Sequence, residues 1–207
     1  MSFWPLVSRF GESTYLLPAA LLIALWLCHR GQTSSALRWL AGVAIASGVT
    51  LASKLAFFGW GVGIPALDFI GVSGHSAMSA TILPVLLYLC TPPSRPWMAR
   101  FGAACGVGLA LLIGWSRLVL HAHSPSEVVA GLVLGLAVSL TFLSFPGDKV
   151  LPRSIVPLAA ALAIFTALHT LPLPGASHAA HRLVVSMATF LSGREQPYHR
   201  GFLNRQL

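Results

Sequence analysis

Six long apolar runs constrain the fold of this chain more than any other feature. They cover roughly residues 13–28, 36–58, 76–90, 99–115, 127–145 and 155–171. A membrane span needs about 20 predominantly apolar residues, because the hydrocarbon core is about 30 Å thick and a helix rises about 1.5 Å per residue. Several runs fall short of that, so their ends extend into flanking residues. Each run is continuous, whereas a β-barrel alternates over segments of about ten residues. The expected fold is all-α: a polytopic membrane helical bundle with about six transmembrane helices, in one domain over residues 1–207. Charge usage agrees, since only 9% of the 207 residues are charged, against about 25% in soluble domains. Residues 1–12 read as an interfacial segment with Phe3, Trp4 and Phe10 at headgroup level, too short for a cleavable signal peptide. Beyond Pro172 lies a tail. Its residues 178–191 read as a surface helix with Arg182 toward headgroups, and 194–207 as a frayed end.

The net charge of +8 invites a nucleic-acid reading. The basic residues are spread through loops and tail and form no stripe or aromatic-interleaved patch, so no nucleic-acid partner is expected. In a membrane protein, basic residues in short loops report orientation instead. Arg30 and Arg38 follow the first run, Arg95 and Arg100 the third, Lys149 and Arg153 the fifth. These three loops share one side, assigned to the cytoplasm. The other loops and both termini then lie outside, although Arg182, Arg194, Arg200 and Arg205 in the tail weigh against this. Cys28, Cys90 and Cys105 sit in or beside apolar runs without metal-ligand spacing and read as small hydrophobes.

The outer face collects most of the remaining polar chemistry. Lys54 lies near the outer end of the second run, and Ser73, Gly74 and His75 open the third. The stretch SRLVLHAHSPSE places Arg117, His121, His123 and Glu127 at the junction of the fourth and fifth. The loop between, residues 59–74, holds five glycines and one proline, which disfavours a regular helix and suits a cavity lining or lid. Taken singly, each residue has an ordinary explanation. Lys54 and Arg117 can snorkel to the interface. Glu127 completes a capping box with Ser124 at N-cap and Pro125 at N1. The functional case rests on the set, because ionisable groups at span ends are costly to desolvate.

Two cations, two imidazoles and free helix N-termini suit a phosphate. Phosphoryl transfer needs charge stabilised on the non-bridging oxygens and an in-line nucleophile. Histidine can attack at neutral pH, a second histidine can protonate the leaving oxygen, and a carboxylate can orient the attacking ring.

These residues resemble the type 2 phosphatidic acid phosphatase (PAP2) family, which shares its site with vanadium haloperoxidases. The family motifs are K-x6-RP, PSGH and SR-x5-H-x3-D. The third is matched by Ser116-Arg117, His123 and Glu127, the second by Val72-Ser73-Gly74-His75, and the first by Lys54 alone. Gly61-Val62 stands where the Arg-Pro would fall, Val72 replaces proline, and Glu127 replaces aspartate. The resemblance implies His123 as nucleophile, His75 as general acid and Glu127 as the group that orients His123. It implies Lys54, Arg117 and the Ser73-Gly74 backbone region as phosphate binders, with no metal and no cofactor. His121 does not fit the spacing. The implied substrate is a lipid phosphate such as undecaprenyl pyrophosphate, phosphatidylglycerol phosphate, phosphatidic acid or a lipid A phosphate. Membrane lipids surround the protein, and the implied location is a bacterial inner membrane with the site facing the periplasm.

Two other readings stand beside it. Gly71-Val72-Ser73-Gly74 fits the G-x-S-G of rhomboid-type intramembrane serine proteases, with Ser73 as nucleophile and a later histidine such as His169 as base. That reading leaves Lys54, Arg117 and His123 without a task. A non-catalytic relative that binds or transports a lipid phosphate is the other.

Overall fold

Each predicted run becomes one helix. The computed structural model describes residues 3–145, 151–170 and 176–203, with their side chains except at 168–170, 176–179 and 203. The runs correspond to α2 (Ser13–His29), α3 (Thr33–Trp60), α4 (Gly74–Leu89), α5 (Pro96–Val119), α6 (Pro125–Ser144) and α7 (Val156–Thr170). Three short or terminal helices are added: α1 (Phe3–Arg9), α8 (Ala176–Ser192) and α9 (Arg200–Leu203). No strand occurs among the described residues. The segment Phe3–His29 and the helices α3, α5 and α6 are long and apolar enough to cross a membrane, and α4 is a shorter apolar helix. The chain is therefore a polytopic helical membrane bundle.

The short helix α4 occupies the centre. It touches α2, α3, α5, α6 and α7, and Ala77, Ala80, Ile82, Val85 and Leu89 are fully buried. Close approach comes from small residues at helical spacing. On α5, a Cβ at Gly102 would lie 2.5 Å from the Leu87 carbonyl oxygen, and one at Gly106 2.5 Å from Pro84 Cα. On α6, a Cβ at Gly131 would lie 2.7 Å from the Ser73 carbonyl oxygen, and one at Gly135 would collide with that of Ala77. Both pairs have the small-xxx-small spacing that lets membrane helices pack backbone to backbone, where dispersion replaces the hydrophobic effect as the driving force. The buried hydroxyls of α4 stay within the helix: Ser79 donates to the His75 carbonyl at 2.7 Å and Thr81 to that of Ala77 at 2.8 Å.

The two ends of the bundle differ in character. At one end, Arg38 donates to the Phe145 carbonyl at 2.7 Å, and Arg153 to the Pro93 carbonyl at 2.6 Å. These bonds tie together the basic loops that the sequence places on one side; Lys149 lies outside the described residues. The helix junctions carrying Lys54, His75, Arg117 and His123 lie at the other end.

The helix expected in the tail forms as α8, and the expected frayed end does not. The α8 helix packs against the C-terminal half of α3, where a Cβ at Gly59 would lie only 3.1 Å from the Ala188 carbonyl oxygen. Ala188 is fully buried, while Leu183 and Phe190 on α8 stay exposed. Residues 194–203 do not fray. They return to the bundle, and the Tyr198 N–H donates to the Phe58 carbonyl at 2.9 Å.

Candidate active site

The geometry starts from the turn between α5 and α6. His121 adopts a left-handed conformation at φ 50° and stays exposed, and the turn carries the next residues inward. Ser124 then caps α6: its hydroxyl accepts from the Glu127 N–H at 3.4 Å, and its own N–H donates to Glu127 Oε2 at 3.2 Å. The capping box holds Glu127 fully buried. The same Oε2 lies 2.6 Å from Nδ1 of His123. Capping and orienting, which the sequence offers as alternatives, are thus done by one oxygen. The other oxygen, Oε1, accepts from the Ile70 N–H at 3.1 Å and from Nη2 of Arg200 at 2.8 Å.

Two backbone N–H groups and the Arg200 guanidinium donate to Glu127, which as a carboxylate can only accept. Nδ1 of His123 therefore carries the proton and Nε2 keeps its lone pair. Burial holds the His123 ring below the ordinary histidine range, and it outweighs the opposing pull of the bond to Glu127. The ring is neutral at neutral pH.

The loop before α4 sets the second imidazole. Gly71 takes φ 142°, and a Cβ there would lie 3.3 Å from Ser53. The next N–H, of Val72, donates to Ser53 Oγ at 3.0 Å. This draws the start of α4 against α3, so that a Cβ at Gly74 would lie 3.8 Å from Nζ of Lys54. His75 follows in the first turn of α4, where N–H groups lack intrahelical partners.

Lys54, Gly74, His75, Arg117 and His123 all line one cavity of about 610 Å³. Glu127 stands behind its wall. Ser73 does not reach it: the residue is fully buried, its N–H donates to the Glu127 carbonyl at 3.1 Å, and its hydroxyl accepts from Ser76 at 3.1 Å. The expected Ser73-Gly74 binding region therefore presents only Gly74. A serine nucleophile at 73 would likewise be sealed from any substrate, and the side chain of His169 lies outside the described residues. Nε of Arg117 is buried with no partner among the described residues. The wall continues down α3 from Lys54 to Ser47, about 10 Å at 1.5 Å per residue, past the apolar side chains of Leu17, Leu51 and Met78.

Both chain ends contribute groups that the sequence reading did not place here. Ser8 of α1 accepts a hydrogen bond from Arg117. Gly11 covers His75, and a Cβ there would lie 3.2 Å from the ring and 2.5 Å from Ile113. Glu12, His181 of α8 and Arg200 also line the cavity. Gly61, where the family pattern has arginine, ends α3 at φ 71°. A Cβ there would lie 3.1 Å from the Tyr198 ring and 3.2 Å from the Phe202 ring, so the tail fills that space. No local spacing signals these contacts; the run of tail arginines is the one hint.

Comparison with known proteins agrees with the motifs. The PAP2 superfamily profile matches residues 11–151. An uncharacterized 22.5 kDa protein in the cps region of Klebsiella pneumoniae is 38% identical over 206 residues, covering 98% of each chain. No solved structure matches the chain.

Proposed function

This chain belongs to the PAP2 superfamily, and on that premise we propose that it is an integral membrane phosphatase that hydrolyses a lipid phosphate or pyrophosphate through a phosphohistidine on His123. One observation carries the reading: an Nδ1–H held by the buried Glu127 carboxylate at 2.6 Å, on a ring that lines the same cavity as His75, Lys54 and Arg117.

Nε2 of His123 donates its lone pair to phosphorus, and the bond from phosphorus to the leaving oxygen breaks. His75, protonated once the negative charge of the bound phosphate draws a proton onto its ring, gives that oxygen its proton. Lys54, Arg117 and the Gly74 N–H take up the charge on the non-bridging oxygens, where preorganised donors act most strongly. The imidazolium formed at His123 is stabilised by Glu127. Water then attacks phosphorus, His75 takes the water's proton, and the P–N bond breaks to release phosphate and the neutral ring. The site residues present supply the charge compensation without a cofactor.

The depth of the cavity supports a lipid substrate. Its polar end suits a phosphate, and its apolar floor along α3 suits the first part of an acyl or isoprenoid chain. The basic loops gathered at the opposite end support a cytoplasmic location for that end and an outward-facing site. In a bacterial inner membrane this orientation favours undecaprenyl pyrophosphate, a carrier left on the outer side after polymer assembly. Helices from both termini pack onto the site, which supports reading residues 1–207 as one membrane unit.

The test is a phosphate-release panel on purified protein, over lipid mono- and diphosphates, with His123→Ala and vanadate as controls. The reading expects release from at least one lipid, abolished by either control. Equal release with and without the substitution contradicts catalysis by His123. Lipid binding without any release favours the non-catalytic alternative.

A further inference from the structure

The C-terminal segment brings Arg200 to the back of the catalytic carboxylate. Its guanidinium makes a fork across two elements. Nη1 pairs with the Asp68 carboxylate and donates to the Asp68 carbonyl at 3.0 Å, and Nη2 donates to Glu127 Oε1 at 2.8 Å. Asp68 lies in the glycine-rich loop with a left-handed φ of 47°, while Glu127 lies on α6. The segment is seated by the Tyr198 N–H on Phe58 and by the Tyr198 and Phe202 rings over Gly61. Arg200 is thus one carboxylate away from the His123 ring.

We propose that Arg200 is a positioning residue of this site, acting through Glu127 to fix the aim and tautomer of His123, so that the end of the chain is a working part of the catalytic centre. The proposal rests on the phosphohistidine reading. Its physical basis is the asymmetry of the carboxylate. Oε2 serves His123 and the helix cap, and only Oε1 is left to resist rotation. A backbone N–H and one guanidinium arm hold it. A planar, permanently charged fork can satisfy Glu127 and Asp68 at once, which a lysine point charge cannot do in the same geometry. Removing it leaves a fully buried carboxylate short of its counter-charge.

A simple tether for the tail is the alternative, and the two make different predictions about His123. The charged and titratable groups that face this ring are Glu127 from α6, Lys54 from α3, Arg117 from α5 and His75 from α4, with Arg200 behind Glu127. Loss of the Arg200 charge leaves Glu127 less compensated, so the His123 ring should hold its proton to higher pH. A tether has no such effect.

The experiment uses full-length protein in lipid nanodiscs. It compares wild type, Arg200→Ala, Arg200→Lys and Asp68→Asn, with Arg182→Ala as an exposed-charge control. Three readouts are taken: kcat and KM for the best-cleaved lipid of the panel, the pH profile, and titration of His123 by NMR of 15N-histidine, assigned with His123→Ala. The proposal expects Arg200→Ala to lower kcat tenfold or more with KM within threefold, and to move the His123 titration to higher pH. Arg200→Lys should keep the titration near wild type and recover part of kcat. Asp68→Asn, which loosens the tail but spares the Glu127 bond, should cost less than Arg200→Ala, and Arg182→Ala nothing. Wild-type kcat and titration in folded Arg200→Ala, or an equal loss from Asp68→Asn, overturns the proposal. If wild type releases no phosphate from any lipid, the phosphatase reading fails separately. The titration then decides Arg200 alone: an unmoved His123 in Arg200→Ala, or a His123 moved as far in Arg200→Lys as in Arg200→Ala, overturns it.

Discussion

The cavity has two walls of different origin, one built by α3 to α6 and one built by the two ends of the chain. The central wall fixes its groups through backbone. Gly131 and Gly135 let α6 touch α4, the capping box seats Glu127, and Gly71 draws Lys54 to the start of α4. The terminal wall holds its groups through side chains that span most of the sequence. Ser8 supports Arg117, and Arg200 reaches Asp68 and Glu127. Exposure follows the same division: the side chain of Glu127 is 0% exposed and that of Arg200 33%. The central wall therefore carries the proposed nucleophile and its carboxylate, and the terminal wall carries the proposed tuning contacts.

The largest expected effect lies in the central wall. Gly135→Leu forces a side chain into the Ala77 carbonyl, where neither backbone can yield. Overpacking of this kind costs about 3 kcal/mol, and fluorescence-detected gel filtration in detergent should show little folded protein. A well-folded Gly135→Leu would mean that α4 and α6 do not pack as described. Next comes Glu127→Gln, which keeps the shape but supplies one neutral oxygen where His123 and Arg200 need a carboxylate. It should lower kcat on the order of 10²- to 10³-fold, as expected when a nucleophile's ring loses its orienting acid.

The terminal wall should respond more weakly. Ser8→Ala removes one partner of Arg117 and leaves its charge, so KM should rise roughly three- to tenfold with kcat little changed. A loss as large as that of Glu127→Gln would erase the distinction between the walls. The smallest effect is a displacement. In the proposed mechanism His123 attacks as the neutral ring, and burial lowers its pKa. Protonation at low pH therefore silences the site only below the ordinary histidine value of about 6.5. The acid limb of kcat/KM should lie below that value in wild type and stay there in Ser8→Ala. An acid limb above 7 would contradict a buried His123.

The two walls were not equally legible in the sequence. The six apolar runs fix α2 to α7 because a bilayer allows a long apolar segment little besides a helix. The spacing Arg117, His123, Glu127 is also legible, since a helix end, a short turn and a helix start bring those residues together locally. Lys54 and Gly74 need one more step, a loop of known composition that returns to its own helix. The tail and the first helix offer no such constraint. Arg200 meets Glu127 across 73 positions, and Ser8 meets Arg117 across 109. An arginine near the end of a basic tail looks the same whether it faces water or a carboxylate, so residues 194–207 read as frayed. Ser73 misled in the opposite way. Its place in SGH suggests backbone contact with phosphate, but it is the N-cap position of a helix pressed against α6, and its N–H is taken by the Glu127 carbonyl.

The most direct measurement is capture of the covalent intermediate. Purified protein turning over a lipid phosphate is quenched within milliseconds at alkaline pH, digested, and mapped by mass spectrometry. The account predicts one added phosphoryl group on His123, lost on brief exposure to acid and absent in His123→Ala. A phosphoryl group that survives acid, or one carried on any other residue while turnover continues, would contradict it.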